Sequence, residues 1–99
     1  IYEVIMFVVL VNYLKPIEEV ERVVVPHRTY LDELYAQGVL LASGPKIPRT
    51  GGVLLAKGMD KQELWEMLQK DPFCTQGIAE YTMIEFDPIK HNPILKNLI

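Results

Sequence analysis

At 99 residues the chain has the length of one domain, and its 49% hydrophobic content can build a packed core, which excludes a disordered chain. The net charge of −3, without a basic run or basic–aromatic interleaving, argues against a nucleic-acid partner. Cys74 is the only cysteine, which excludes a disulfide framework and fits a reducing, cytoplasmic setting.

Residues 2–13 read as the first strand. Its centre, Val4 to Val11, is VIMFVVLV, rich in β-branched residues. It is too short for a membrane span, which needs ~20 apolar residues. It also lacks the basic flank and small-residue cleavage site of a signal peptide, so no membrane partner is expected. Leu14-Lys15-Pro16-Ile17 breaks the strand. Residues 17–25 are ambiguous: Glu18, Glu19, Glu21 and Arg22 suit a helical turn, and Val23-Val24-Val25 does not favour one. Pro26 suits the first position of a helix that runs to about Gln37, with Gly38 as a left-handed stop.

Strand two is expected at Val39 to Gly44. Residues 45–52, PKIPRTGG, read as a loop. Strand three follows at Val53 to Lys57. Asp60 and Glu63 form a capping box for a second helix, whose inner face is Leu64, Met67 and Leu68. Asp71-Pro72 ends that helix, because a residue before proline is pushed out of the α region. DPFCTQG reads as a loop, and strand four as Ala79 to Asp87. The tail, residues 89–99, carries Ile94, Leu95, Leu98 and Ile99.

The order βαββαβ is the split βαβ or ferredoxin-like pattern of the α+β class, with two helices on one face of a four-stranded antiparallel sheet. The other face has no helix of its own, yet strand one is apolar on both sides. Val4, Met6, Val8 and Leu10 lie on one, and Ile5, Phe7, Val9 and Val11 on the other. A bare apolar face would be a large sticky patch. The simplest cover is a second copy, giving a homodimeric α+β barrel with the apolar tail added to the interface.

His27 lies on the inward side of helix one, four residues before Leu31. Alone it reads as a partly buried histidine bonded to a backbone carbonyl. It becomes a useful acid or base only where a carboxylate fixes its tautomer and stabilises its protonated form. Asp71 is the candidate, since both helices share one sheet face and their ends can meet; alone it reads as a turn-starting surface residue. Ser43 either contacts a ligand or the dyad, or satisfies local backbone. Arg49 either holds an anionic group bidentately or is a solvated loop charge. The glycines beside it would let the loop move as a lid. Cys74 reads as filler, since a nearby carboxylate disfavours its thiolate. His91 reads as a surface residue, Trp65 as packing, and Glu80 as a weak second carboxylate. No zinc spacing, P-loop, dinucleotide fingerprint or nucleophile elbow is present, so neither a metal nor another cofactor is expected.

HRTYLDELYAQGVLLASGP, then PRTGG, then KDPFCTQGIAEYTMIEF, resembles the YCII-related family. The matching pattern is His27 with Leu31 four residues on, Gly38, Leu40-Leu41, Gly44-Pro45 and Asp71-Pro72-Phe73, over about residues 2–88. The resemblance implies a ferredoxin-like dimer forming an α+β barrel, in a single domain over 1–99. It also implies a histidine–aspartate pair at a cleft, carried over to His27 and Asp71 as a catalytic dyad. Ser43, Gly44, Pro45, Arg49 and Phe73 are then the candidate substrate-binding residues. Family relatives include a dehydrochlorinase of a chlorinated, hydroxylated ring, and muconolactone isomerases share the wider architecture. The implied function is cofactor-free acid–base chemistry, lyase, dehydrochlorinase or isomerase in type, on a small polar molecule. The alternative is a non-catalytic ligand-binding or accessory dimer domain.

Overall fold

The computed structural model describes residues 4–98. Its elements are β1 Met6–Tyr13, α1 Ile17–Ala36, β2 Leu40–Pro45, β3 Gly51–Lys57, α2 Lys61–Gln69, α3 Pro72–Thr75 and β4 Ala79–Phe86, followed by a 3-10 turn at Pro93–Asn97. The four strands form one antiparallel sheet in the order β2-β3-β1-β4. This is the ferredoxin-like α+β arrangement that the alternation of strand and helix patterns predicts.

Register decides which residues meet the helices. Phe7, Val9 and Val11 of β1 are buried on the helix side, with Ala56 and Leu54 of β3 opposite the first two and Tyr81 of β4 opposite the third. Val20 and Leu34 of α1 and Leu64 and Leu68 of α2 close over them, each almost fully buried. Val8 and Leu10 point to the other face. There they pair with Leu55 and Val53 on one side, and Val8 pairs with Ile84 on the other. Val53, Ile84 and Phe86 remain 36%, 48% and 39% exposed, so this sheet face is apolar and uncovered within the chain.

Several boundaries differ from expectation. Helix α1 starts at Ile17, with Pro16 as its N-cap and Pro26 in its interior instead of at its first position. An interior proline costs ~3 kcal/mol. Burying Val20, Val23 and Val24 is worth ~1.5–3 kcal/mol each and outweighs it. The three valines extend the stripe of Leu31 and Leu34 by two turns, with His27 between. Gly38 ends the helix as expected: at φ 75 it gives its N–H to the Tyr35 carbonyl while Val39 bonds that of Leu34.

Strand β1 begins at Met6; Tyr2 and Glu3, where it is expected to start, lie outside the described residues, as does Ile99. The paired register with β3 and β4 ends at Met6, and Gly58, just past β3, gives its N–H to the Ile5 carbonyl. Strand β3 begins at Gly51, not Val53, so Gly51 and Gly52 pair with Asn12 and Val11. A Cβ at Gly51 would lie 2.1 Å from the Val11 carbonyl oxygen. These glycines permit close strand approach and are not hinges of a lid. Asp60 is the N-cap of α2 but makes no side-chain capping bond, so the capping box is absent. The expected loop after Asp71 holds α3, with Asp71 as N-cap and Pro72 at its first position. The tail's Ile94 is 82% exposed. No described helix is long and apolar enough to cross a membrane.

Candidate active site

The tripeptide Asp71-Pro72-Phe73 builds the site's floor. Proline at the first helical position fixes the backbone for α3 and lacks an N–H that would need a partner. The Asp71 side chain, buried to 0% exposure, then accepts the Phe73 N–H at Oδ1, 2.9 Å. The same turn carries Phe73 into the core beside α1.

Helix α1 presents His27 to this carboxylate. Its Nδ1 lies 2.9 Å from Oδ1 and 2.8 Å from Oδ2 of Asp71. The Tyr81 hydroxyl donates to Oδ2 from β4. A carboxylate that takes a backbone N–H and a phenolic O–H is acting as acceptor, so the Nδ1 contact is donated by the imidazole. That fixes Nδ1–H and leaves Nε2 as the ring's remaining nitrogen. The imidazole stacks on Phe73 with centroids 3.8 Å apart and planes 2° apart, and Tyr13 meets the same phenyl ring edge-on at 6.2 Å. The ring is thus held by a carboxylate along one edge and an aromatic plate along one face.

Burial and the Asp71 charge shape the neighbours. Tyr81 is pushed far above the ordinary phenol range, first by burial and then by the Asp71 charge and hydrogen bond, so it stays a donor. Burial first, and Asp71 second, push the Cys74 thiol up to about 11. That leaves it protonated at neutral pH and unsuited to nucleophilic attack. Tyr30, raised by burial and then by Asp71 and Glu33, ties α1 to α2 through its hydroxyl to the Met67 carbonyl at 2.6 Å.

A cleft of about 200 Å³ opens over the imidazole, below the ~300–1,000 Å³ of drug-sized pockets. His27, Ser43, Gly44, Pro45, Arg49 and Phe73 all line it, with Asp71 behind the ring. Ser43 bonds the Tyr35 hydroxyl at 2.6 Å, so it joins neither the dyad nor the local backbone. Arg49 pairs with Glu21 of α1 and is not simply solvated. The remaining candidates lie elsewhere. Exposed His91 faces the Pro88 carbonyl at 3.4 Å, Glu80 sits on the open sheet face opposite Asn12, and Trp65 borders a separate depression with Met83. Among the described residues, no three His, Cys, Asp or Glu side chains gather to hold a metal ion.

Three site residues escape sequence reasoning: Tyr13, Arg28 and Tyr81. Alternation with Ala79 could have put Tyr81 on the helix side of β4. Its aim at Asp71 depends on how α3 seats above the strand.

Comparison with known proteins identifies the family and the fold. A family model described as YCII-related domain matches residues 6–87. No curated protein matches the chain. Among solved structures, the chain resembles 5-chloro-2-hydroxyhydroquinone dehydrochlorinase (TftG) from Burkholderia phenoliruptrix AC1100, in complex with 2,5-dihydroxybenzoquinone. The TM-score is 0.68 at 20% identity, over 90% of this chain and 97% of that one. It also resembles a variant of SnoaB, a cofactor-independent oxygenase from Streptomyces nogalater, with TM-score 0.52 at 13% identity, over 93% and 99%. At these identities the likeness establishes the fold.

Proposed function

The chain belongs to the YCII-related family, and from that premise we propose that it is a homodimeric acid–base enzyme of the cytoplasm, a single domain acting on a small molecule through His27 and Asp71. One observation carries the reading: a cleft-lining imidazole whose Nδ1 is held by a fully buried carboxylate. Asp71 accepts Nδ1–H, so the Nε2 lone pair takes a proton from an activated C–H, and Asp71 stabilises the imidazolium that forms. In an elimination, the electron pair freed from that C–H forms the new double bond as chloride or another leaving group departs. A ring hydroxyl conjugated with the leaving group can supply that pair instead, by giving its proton to Nε2. In an isomerisation, His27 returns the proton to a different carbon. Imidazole and carboxylate suffice for either course. Phe73, Ser43, Gly44, Pro45 and Arg49 bind and orient the substrate. The names of the two structural neighbours, a dehydrochlorinase and a cofactor-independent oxygenase, support an enzymatic reading in general, and the first supports an elimination.

The test uses 5-chloro-2-hydroxyhydroquinone and its chlorine-free analogue in deuterated water, following chloride release and deuterium incorporation. His27→Gln should keep binding and lose ~10²–10⁴-fold in rate. Undiminished turnover in that variant contradicts the assignment. Binding by the parent protein without any turnover favours a ligand-binding or accessory domain.

A further inference from the structure

The rim of the cleft is cationic. Arg28, next to His27, and Arg49, between β2 and β3, both line it. Arg28 makes no ion pair among the described residues. Arg49 donates to Glu21 of α1, in a pair whose side chains are 36% and 53% exposed. Such exposed pairs contribute little to stability, because water screens them and two long side chains must be held in place. Asp71 is a counter-charge nearby, but it lies behind the imidazole and outside the cleft's lining, whose described residues include the two arginines and no carboxylate. Below the rim the walls are apolar, with Val24, Leu31 and Phe73 among them. Whereas the Glu21 pair is open to solvent, a ligand seated against these apolar walls shields its contact with the guanidinium from it. It therefore competes well for Arg49.

We propose that the cleft selects small molecules bearing an anionic oxygen, a carboxylate or an ionised hydroxyl. Arg49 recognises that oxygen by exchanging Glu21 for it, and Arg28 adds to the field. The proposal rests on the reading of the cleft as the substrate site, and it names the charge of the substrate.

Benzoate and benzamide, alike in shape and different in charge, are the probes. Each is titrated into ¹⁵N-labelled protein at pH 7 and low salt, following the backbone amides of Ser43 and Gly44 and the Arg49 Nε–H. Benzoate should bind on the order of tenfold more tightly than benzamide, and salt should shrink the difference. Glu21→Gln should tighten benzoate and leave benzamide unchanged, while Arg49→Gln should remove most of the preference. Equal affinity for the two probes overturns the proposal. So does an unchanged benzoate affinity in Glu21→Gln, or failure of both to bind up to their solubility limits. These readouts do not depend on turnover. Charge selection without proton-transfer activity would leave this proposal standing and remove the acid–base reading. Turnover without charge selection would do the reverse.

Discussion

Asp71 is the residue on which the site turns, because one buried carboxylate serves a helix, a strand and the imidazole at once. Its three donors, His27 Nδ1, the Phe73 N–H and the Tyr81 hydroxyl, come from α1, α3 and β4. Asp71→Ala strands all three, a loss of ~3–5 kcal/mol. Thermal unfolding should shift down by more than about 10 °C. Tyr81→Phe removes one donor and should cost ~1–2 kcal/mol, measured by urea denaturation. Cys74 gives a pH signature. Its thiol ionises near 9.0 when unfolded and near about 11 in the fold, so unfolding releases a proton between those values. Stability should fall as pH rises from about 9 to about 11, and Cys74→Ala should flatten that part of the profile in calorimetry. His27 and Asp71 stand out in the sequence as oddities, a polar residue on an apolar stripe and an acid at a helix–proline junction, but each alone reads as structural, and it is the family resemblance that pairs them. Tyr81 does not stand out, since a tyrosine alternating with apolar residues on a strand looks like packing.

At the scale of elements, α1 and β3 carry the two backbone features that position the site. Pro26 removes one hydrogen bond from the middle of α1, immediately before His27. Pro26→Ala restores a donor for the Arg22 carbonyl and should stabilise by ~1–2 kcal/mol, the ~3 kcal/mol propensity gain less the entropy that proline saves in the unfolded chain. A raised melting temperature with unchanged far-UV circular dichroism checks it. Gly51→Ala drives a methyl into the Val11 carbonyl and should cost at least ~1–3 kcal/mol. Faster amide exchange along the β1–β3 ladder would accompany the loss. Both sites misled the sequence reading for one reason. Proline and glycine have strong local meanings, a helix start and a loop, and tertiary packing overrode each. Gly38 kept its local meaning because its φ of 75 and the bonds to the last turn's carbonyls are those of a helix stop.

The topology of the whole molecule was legible because helical and strand periodicities alternate cleanly along the chain. The open sheet face was legible too, in a first strand that is apolar on both sides. What covers that face is written in neither the pattern nor a single chain. With Val53, Ile84 and Phe86 exposed around Val8 and Leu10, a second copy is the cover we propose. Ile84→Glu buries a charge in such an interface. Sedimentation velocity should then show a shift from dimer to monomer, and a parent protein that is monomeric at micromolar concentration contradicts the dimer.

The central claim is that Asp71 fixes the tautomer of His27 and frees Nε2 for proton transfer. Long-range ¹H–¹⁵N correlation of the imidazole, at a pH where the ring is neutral, reads that tautomer directly. We predict the Nδ1–H form, opposite to the preference of free histidine, with loss of that bias in Asp71→Ala. An Nε2–H tautomer in the parent protein would leave no base facing the cleft and contradict the account.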